Sequence, residues 1–211
     1  MANLGTLLAL ADSRLPTGGH VHSGGIEEAV VSGLVVDLST LEAFLRRRIR
    51  SHGLVTASLA SAVHDGRLPL DAADGETDAR TPSAAARRAS RAQGRGLARL
   101  ARRVWPHGDW DALGATPHLA VAAGKVGAVS GLTPEQTAMH VVYTTMTGSA
   151  TAGQRLLALD PADVASVTFA LSWLCEQTAD EACEELADLS DPLLDVLAER
   201  HAERERPLFA S

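Results

Sequence analysis

Five times after residue 80, a threonine or aspartate stands directly before a proline: Thr81-Pro82, Thr116-Pro117, Thr133-Pro134, Asp160-Pro161 and Asp191-Pro192. Each pair spells a helix start. The side-chain oxygen accepts from an N–H that the first helical turn leaves unpaired. Proline at the first helical position forfeits nothing, because its missing N–H had no partner there. A helix-forming run follows each pair, over about 82–104, 117–130, 134–157, 161–187 and 192–204. Gly131 stops the second run. The β-branched pairs Val35-Val36 and Val141-Val142 are short and lie in helical contexts, so strand signals are weak.

The first half reads the same way with fewer marks. Asn3 to Leu10 is a short helix, and a second runs from about Ser23 to Ser32 with Gly33 as its stop. Ser39-Thr-Leu-Glu42 has the spacing of a capping box, and Leu41, Phe44, Leu45 and Ile49 recur at helical spacing behind it. Gly53 interrupts and 54–63 resumes; 65–80 is polar and reads as a loop with one helical turn. These readings give an all-α chain, a single compact helical domain over 1–211 with roughly eight to ten helices and a tail over 200–211. With 45% hydrophobic but only 3% aromatic residues, its core must be aliphatic and alanine-rich.

A formal charge of −7 argues against nucleic acid as the main partner. Charge is nonetheless segregated. Arg88, Arg91, Arg95, Arg99 and Arg102 form a stripe on the 82–104 helix, and the stretch 176–199 is rich in Asp and Glu, a separation that could steer assembly. Gly94 and Gly96 weaken that helix and call for a close neighbour. Cys175 and Cys183 sit eight residues apart in a helical pattern, as free thiols in a reducing compartment would. No basic segment precedes Leu4, and no apolar run approaches the roughly 20 residues that span a membrane, so a cytoplasmic protein is expected.

One segment is not ordinary scaffold. Asp12 to Glu27 holds four glycines, a proline and two histidines. His20 and His22 could share one side of an extended stretch, with Asp12, Glu27 and Glu28 nearby, but no spacing fixes a third ligand. Pro16-Thr-Gly-Gly19 and Ser23-Gly-Gly25 could cradle an anion, yet no phosphate-loop motif or preceding strand is present. Ser13 and Ser23 lack the G-x-S-x-G setting of a nucleophile. A backbone open to close approach suits protein docking. At the other end, Arg200 to Ser211 is charged and then apolar, with Leu208 and Phe209 as candidate anchors.

These residues resemble the UreF family of urease accessory proteins. Its early motif, approximately L-P-x-G-x-x-x-x-S-x-G-x-E, stands here as Leu15-Pro16, Gly18, Ser23, Gly25 and Glu27. Arg87, Ser90 and Gly94 match a middle segment, and Arg155-Leu156 with Leu159 a later one; His201, Leu208, Phe209 and Ser211 fit the family's ending. The chain departs where His20 or His22 replaces an aromatic, where Pro207 stands for a tail arginine, and where Asp160 replaces a glutamine. The resemblance implies a non-enzymatic scaffold with no catalytic residue and no stably bound cofactor. It implies a homodimer that binds UreD/UreH and the GTPase UreG, so that nickel passes through the assembled complex into apo-urease while the partner binds GTP. The partner-binding set it suggests is Ser13, Leu15, Pro16, Gly18, Gly19, Ser23, Gly25, Glu27, Arg155, His201, Leu208, Phe209 and Ser211, with His20 and His22 as transient nickel contacts. The alternative reading is a metal-binding protein or metalloenzyme centred on His20 and His22.

Overall fold

Residues 54–64 form the helix around which the others gather, because it carries almost no polar face: Leu54, Val55, Ala57 to Val63 are all buried. The computed structural model describes residues 3–12, 14–17, 22–188 and 190–210. In chain order its α-helices are α1 (Leu4–Leu10), α2 (Ile26–Val31), α3 (Leu38–Arg48), α4 (Leu54–His64), α5 (Leu70–Ala79), α6 (Ala84–Val104), α7 (Leu119–Ser130), α8 (Pro134–Leu157), α9 (Pro161–Ala170), α10 (Ser172–Glu184) and α11 (Pro192–Ala202). No strand occurs among the described residues, so the fold is all-α. None of the described helices is long and apolar enough to cross a membrane.

Helices α7, α8 and α10 pack around α4, and α6 packs outside α7. Small residues set the spacing. A Cβ on Gly124 would lie 2.5 Å from the Ala60 carbonyl oxygen, so α7 can lie against α4 only without a side chain there. Phe44 and Trp110 are the aromatic members of the buried apolar core among the described residues; the remainder is Leu, Ile, Val, Ala, Met and Cys. The small aromatic content therefore appears as close helix approach. The expected neighbour of Gly94 and Gly96 is present: Gly94 faces the backbone of Pro117 and His118, and a Cβ on Gly96 would come 2.5 Å from the Thr17 carbonyl oxygen.

The proline marks hold in three places. Thr133, Asp160 and Asp191 cap α8, α9 and α11 with proline in the first turn. At Thr81-Pro82 the start slips to Ser83, whose hydroxyl accepts from Ala86 N–H, and α7 starts behind His118. The capping box at α3 is also displaced. Asp37 accepts from Thr40 N–H and the Thr40 hydroxyl reaches back, since aspartate two residues earlier competes better than Ser39.

Three further expectations change. Gly53 does not break the chain's course, because a π-helical turn (Ile49–Gly53) carries α3 straight into α4. Counted as one rod, α3 and α4 bring the described helices to ten. The polar stretch 65–80 contains α5, ten residues long, whose Ala73 and Thr77 face inward. The run 161–187 is two helices, with buried Leu171 at the joint.

Candidate functional site

Gly24 and Gly25 both take left-handed backbone, φ 65° and 91°, and together they aim α2 inward. The result is unusual for a six-residue helix with Glu27 and Glu28 in its first turn: both carboxylates are buried. Glu27 is the centre of the site. Its Oε2 lies 2.8 Å from His201 Nε2 on α11, and it accepts from the backbone N–H groups of Leu208 (2.8 Å) and Phe209 (3.0 Å). Burial alone pushes the carboxyl up, but the bonds from Leu208, His201 and Phe209 outweigh it and hold Glu27 below its ordinary value. An ionised Glu27 can only accept, which makes His201 Nε2 the donor. Glu28 adds a second tie, 3.0 Å from Arg204. Leu197 of α11 packs beneath Gly25.

Predicted docking residues thus fall into two groups. Ser23, Gly25, Glu27 and His201 are buried; Glu27 and His201 tie α2 to α11 and the tail, while Gly25 packs on Leu197. Pro16, Arg155 and Leu208 are exposed, Leu208 by 79%, while Leu15 and Phe209 are half-buried against the core. Ser13, Gly18, Gly19, His20 and Ser211 lie outside the described residues. Leu15, His22, Gly25, Arg155 and Phe209 line one cavity of about 500 Å³ between the loop, α8 and α11. Among the described residues no group of three or more His, Cys, Asp or Glu side chains is placed to hold a metal ion.

Sequence reasoning missed residues that complete this region. Arg48 donates through Nη1 to the Gly24 carbonyl at 2.6 Å, and its guanidinium fills the space above Gly24. The signal was faint: one arginine of three in a row at the end of α3. Nor did the sequence show how far the segregated charges are used internally. Glu199 accepts from Ser83 and Ala85 at the start of α6, where the helix dipole favours an anion. Arg47 pairs with Asp191 at 2.7 Å, and Arg91 with Asp74 and Asp78. Arg88, Arg95 and Arg99 remain on an exposed face.

A Ser-His-Asp sequence of contacts does exist, at Ser90, His118 and Asp78, with distances of 3.0 Å and 2.9 Å. It explains how a fully buried histidine is satisfied. The Ser90 hydroxyl also accepts from Leu119 N–H, and His118 N–H donates to Asp74, so the network closes the start of α7.

Comparisons with known proteins place the sequence in one family. The UreF family model matches residues 35–172, from α3 through α9. The chain is 77% identical over 214 residues to the urease accessory protein UreF of Mycolicibacterium vanbaalenii, 74% identical over 211 to that of Mycobacterium marinum, and 70% identical over 211 to that of Mycobacterium tuberculosis strain H37Ra. Each match covers all of both chains, loop and tail included. With α3 to α9 matched by the family model and its whole length by these relatives, the chain belongs to the UreF family of urease accessory proteins.

Proposed function

We propose that the protein is a non-enzymatic scaffold, a homodimer in the cytoplasm, that assembles with UreD/UreH and the GTPase UreG so that nickel enters apo-urease. Nickel is cargo in this reading, and GTP is bound by the partner. The observation that carries it is the Glu27 latch. Three hydrogen bonds from the C-terminal region to one buried carboxylate fix the tail against α2 while leaving Leu208 79% exposed. A large apolar side chain presented from an anchored backbone is a preorganised contact, since less ordering entropy remains to be lost on binding. Phe169 and Trp173, 80% and 50% exposed, give α9 and α10 a second apolar face suited to self-association.

Deleting residues 204–211 removes Leu208 and Phe209 but leaves α11 intact. The truncated protein should keep its helical circular dichroism and lose co-purification with UreD/UreH. Equal recovery of the partner by truncated and full-length protein would show that the tail is not the contact.

A further inference from the structure

The cavity of about 500 Å³ holds a positive charge that no carboxylate among the described residues answers. Arg48 lines it from the end of α3, deep among protein atoms. Among the described residues no carboxylate lies within ion-pair distance of Arg48. Nη1 is used by the Gly24 carbonyl, but Nε is buried with no hydrogen-bond partner. Burial brings the guanidinium down to about 10, so it stays charged at neutral pH.

A second orphan lines the same cavity: Nδ1 of His140, on α8, is also buried without a partner. His52, on the π-helical turn, lines it too and feels the charge of Arg48. Burial pushes His52 down to about 3, with Arg48 adding to the shift, and burial pushes His140 down to about 4. Both imidazoles are therefore neutral at pH 7, and each has one N–H to donate. Arg155 adds an exposed cation to the lining, likewise without an ion-pair partner among the described residues.

The carboxylates that line the cavity have partners of their own. Asp12 is held by Arg14, Asp191 by Arg47, and Asp195 accepts from Ser83 N–H. The fixed charge of Arg48 opposes a divalent cation beside it, so His52 and His140 do not read as a metal pair. Buried unpaired donors next to an uncompensated cation are the complement of an oxyanion. Val55, Leu59 and Leu97 provide apolar wall for whatever the oxyanion is attached to.

We propose that this cavity binds a small oxyanion, with Arg48 as its counter-ion and His52 and His140 as hydrogen-bond donors. The shared chemistry is a planar or tetrahedral group of anionic oxygens, met by inorganic phosphate, bicarbonate or the carboxylate of a short organic acid. This site lies beyond the docking role and does not depend on it.

Titration calorimetry of the full-length protein with sodium phosphate, bicarbonate and butyrate, at constant ionic strength set with chloride, tests the site. At least one probe should bind saturably, one per chain, in the millimolar range or tighter. Butyrate binding more tightly than phosphate and bicarbonate would identify an organic acid as the better occupant, and the reverse an inorganic one. Arg48→Met should weaken binding about tenfold or more, the loss of a charge-assisted bond. Circular dichroism reports whether that variant folds; if it does not, His140→Leu and Arg155→Met should each weaken the same titration. No saturable binding of any probe overturns the proposal. So does unchanged affinity in the folded variants, because the anion then sits elsewhere, for instance on the exposed α6 arginines.

Discussion

Glu27 Oε2 and His201 Nε2 lie 2.8 Å apart with both side chains almost fully buried, although 174 residues separate them in the chain. The contact closes the molecule's ends upon each other: α2 enters from the glycine-rich loop, α11 leads to the tail, and one carboxylate serves both. Glu27→Ala would strand a buried imidazole and release the Leu208 and Phe209 amides. It should cost about 3 kcal/mol, as breaking a buried pair from one side does. Hydrogen exchange should then show residues 204–210 losing protection while α4 keeps its own. Unchanged protection of the tail would mean that packing of Phe209, not Glu27, holds it.

Acid should destabilise the protein from near neutrality downward. His52 and His140 are pushed to about 3 and about 4, and burial also lowers His64 and His118 below the usual 6.5. The unfolded chain takes up these protons below about 6.5 and the folded chain resists, so stability present above that pH is lost as pH falls toward the folded values. Glu27, lowered in the fold, adds a loss of the same sign below its ordinary 4.5. The melting temperature should therefore decline steadily from pH 7 to 4. A His52→Gln/His140→Gln variant should show a shallower decline over that range; an equally steep one would place the effect on other groups.

Two glycines in helices should respond oppositely to the same change. Gly94→Ala drives a methyl into the Pro117–His118 backbone and should destabilise by about 2 kcal/mol. Gly75→Ala, in α5, meets open space and should stabilise by up to about 1 kcal/mol through helix propensity alone. Chemical denaturation of both variants checks the pair.

The two thiols should differ in reactivity. Cys175 is fully buried, 3.7 Å from the Met146 sulfur, and burial pushes its thiol up to about 12. Cys183 is half-buried and accepts from Ser61 at 3.3 Å. With an aromatic disulfide reagent, native protein should lose Cys183 first and Cys175 only at the rate of unfolding. Fast labelling of both would show that α10 opens locally.

The sequence by itself determined the helices, because capping is local chemistry. An oxygen at Thr133, Asp160 or Asp191 and a proline behind it decide a helix start within four residues, whatever lies across the molecule. The loop and tail were also legible as the unusual segments, and their motifs carried the family. Where local signals competed, as at Asp37 against Ser39 or across the polar stretch that became α5, the pattern pointed a few residues wrong or to a loop, since burial of Ala73 and Thr77 is a tertiary gain. What only the tertiary structure decided is which residues meet. Glu27 reads as a surface contact and is a buried latch, and Arg48, one of three consecutive arginines, is a cavity charge that no carboxylate among the described residues answers. Burial and pairing depend on elements more than a hundred residues apart, and no spacing within one helix can encode them.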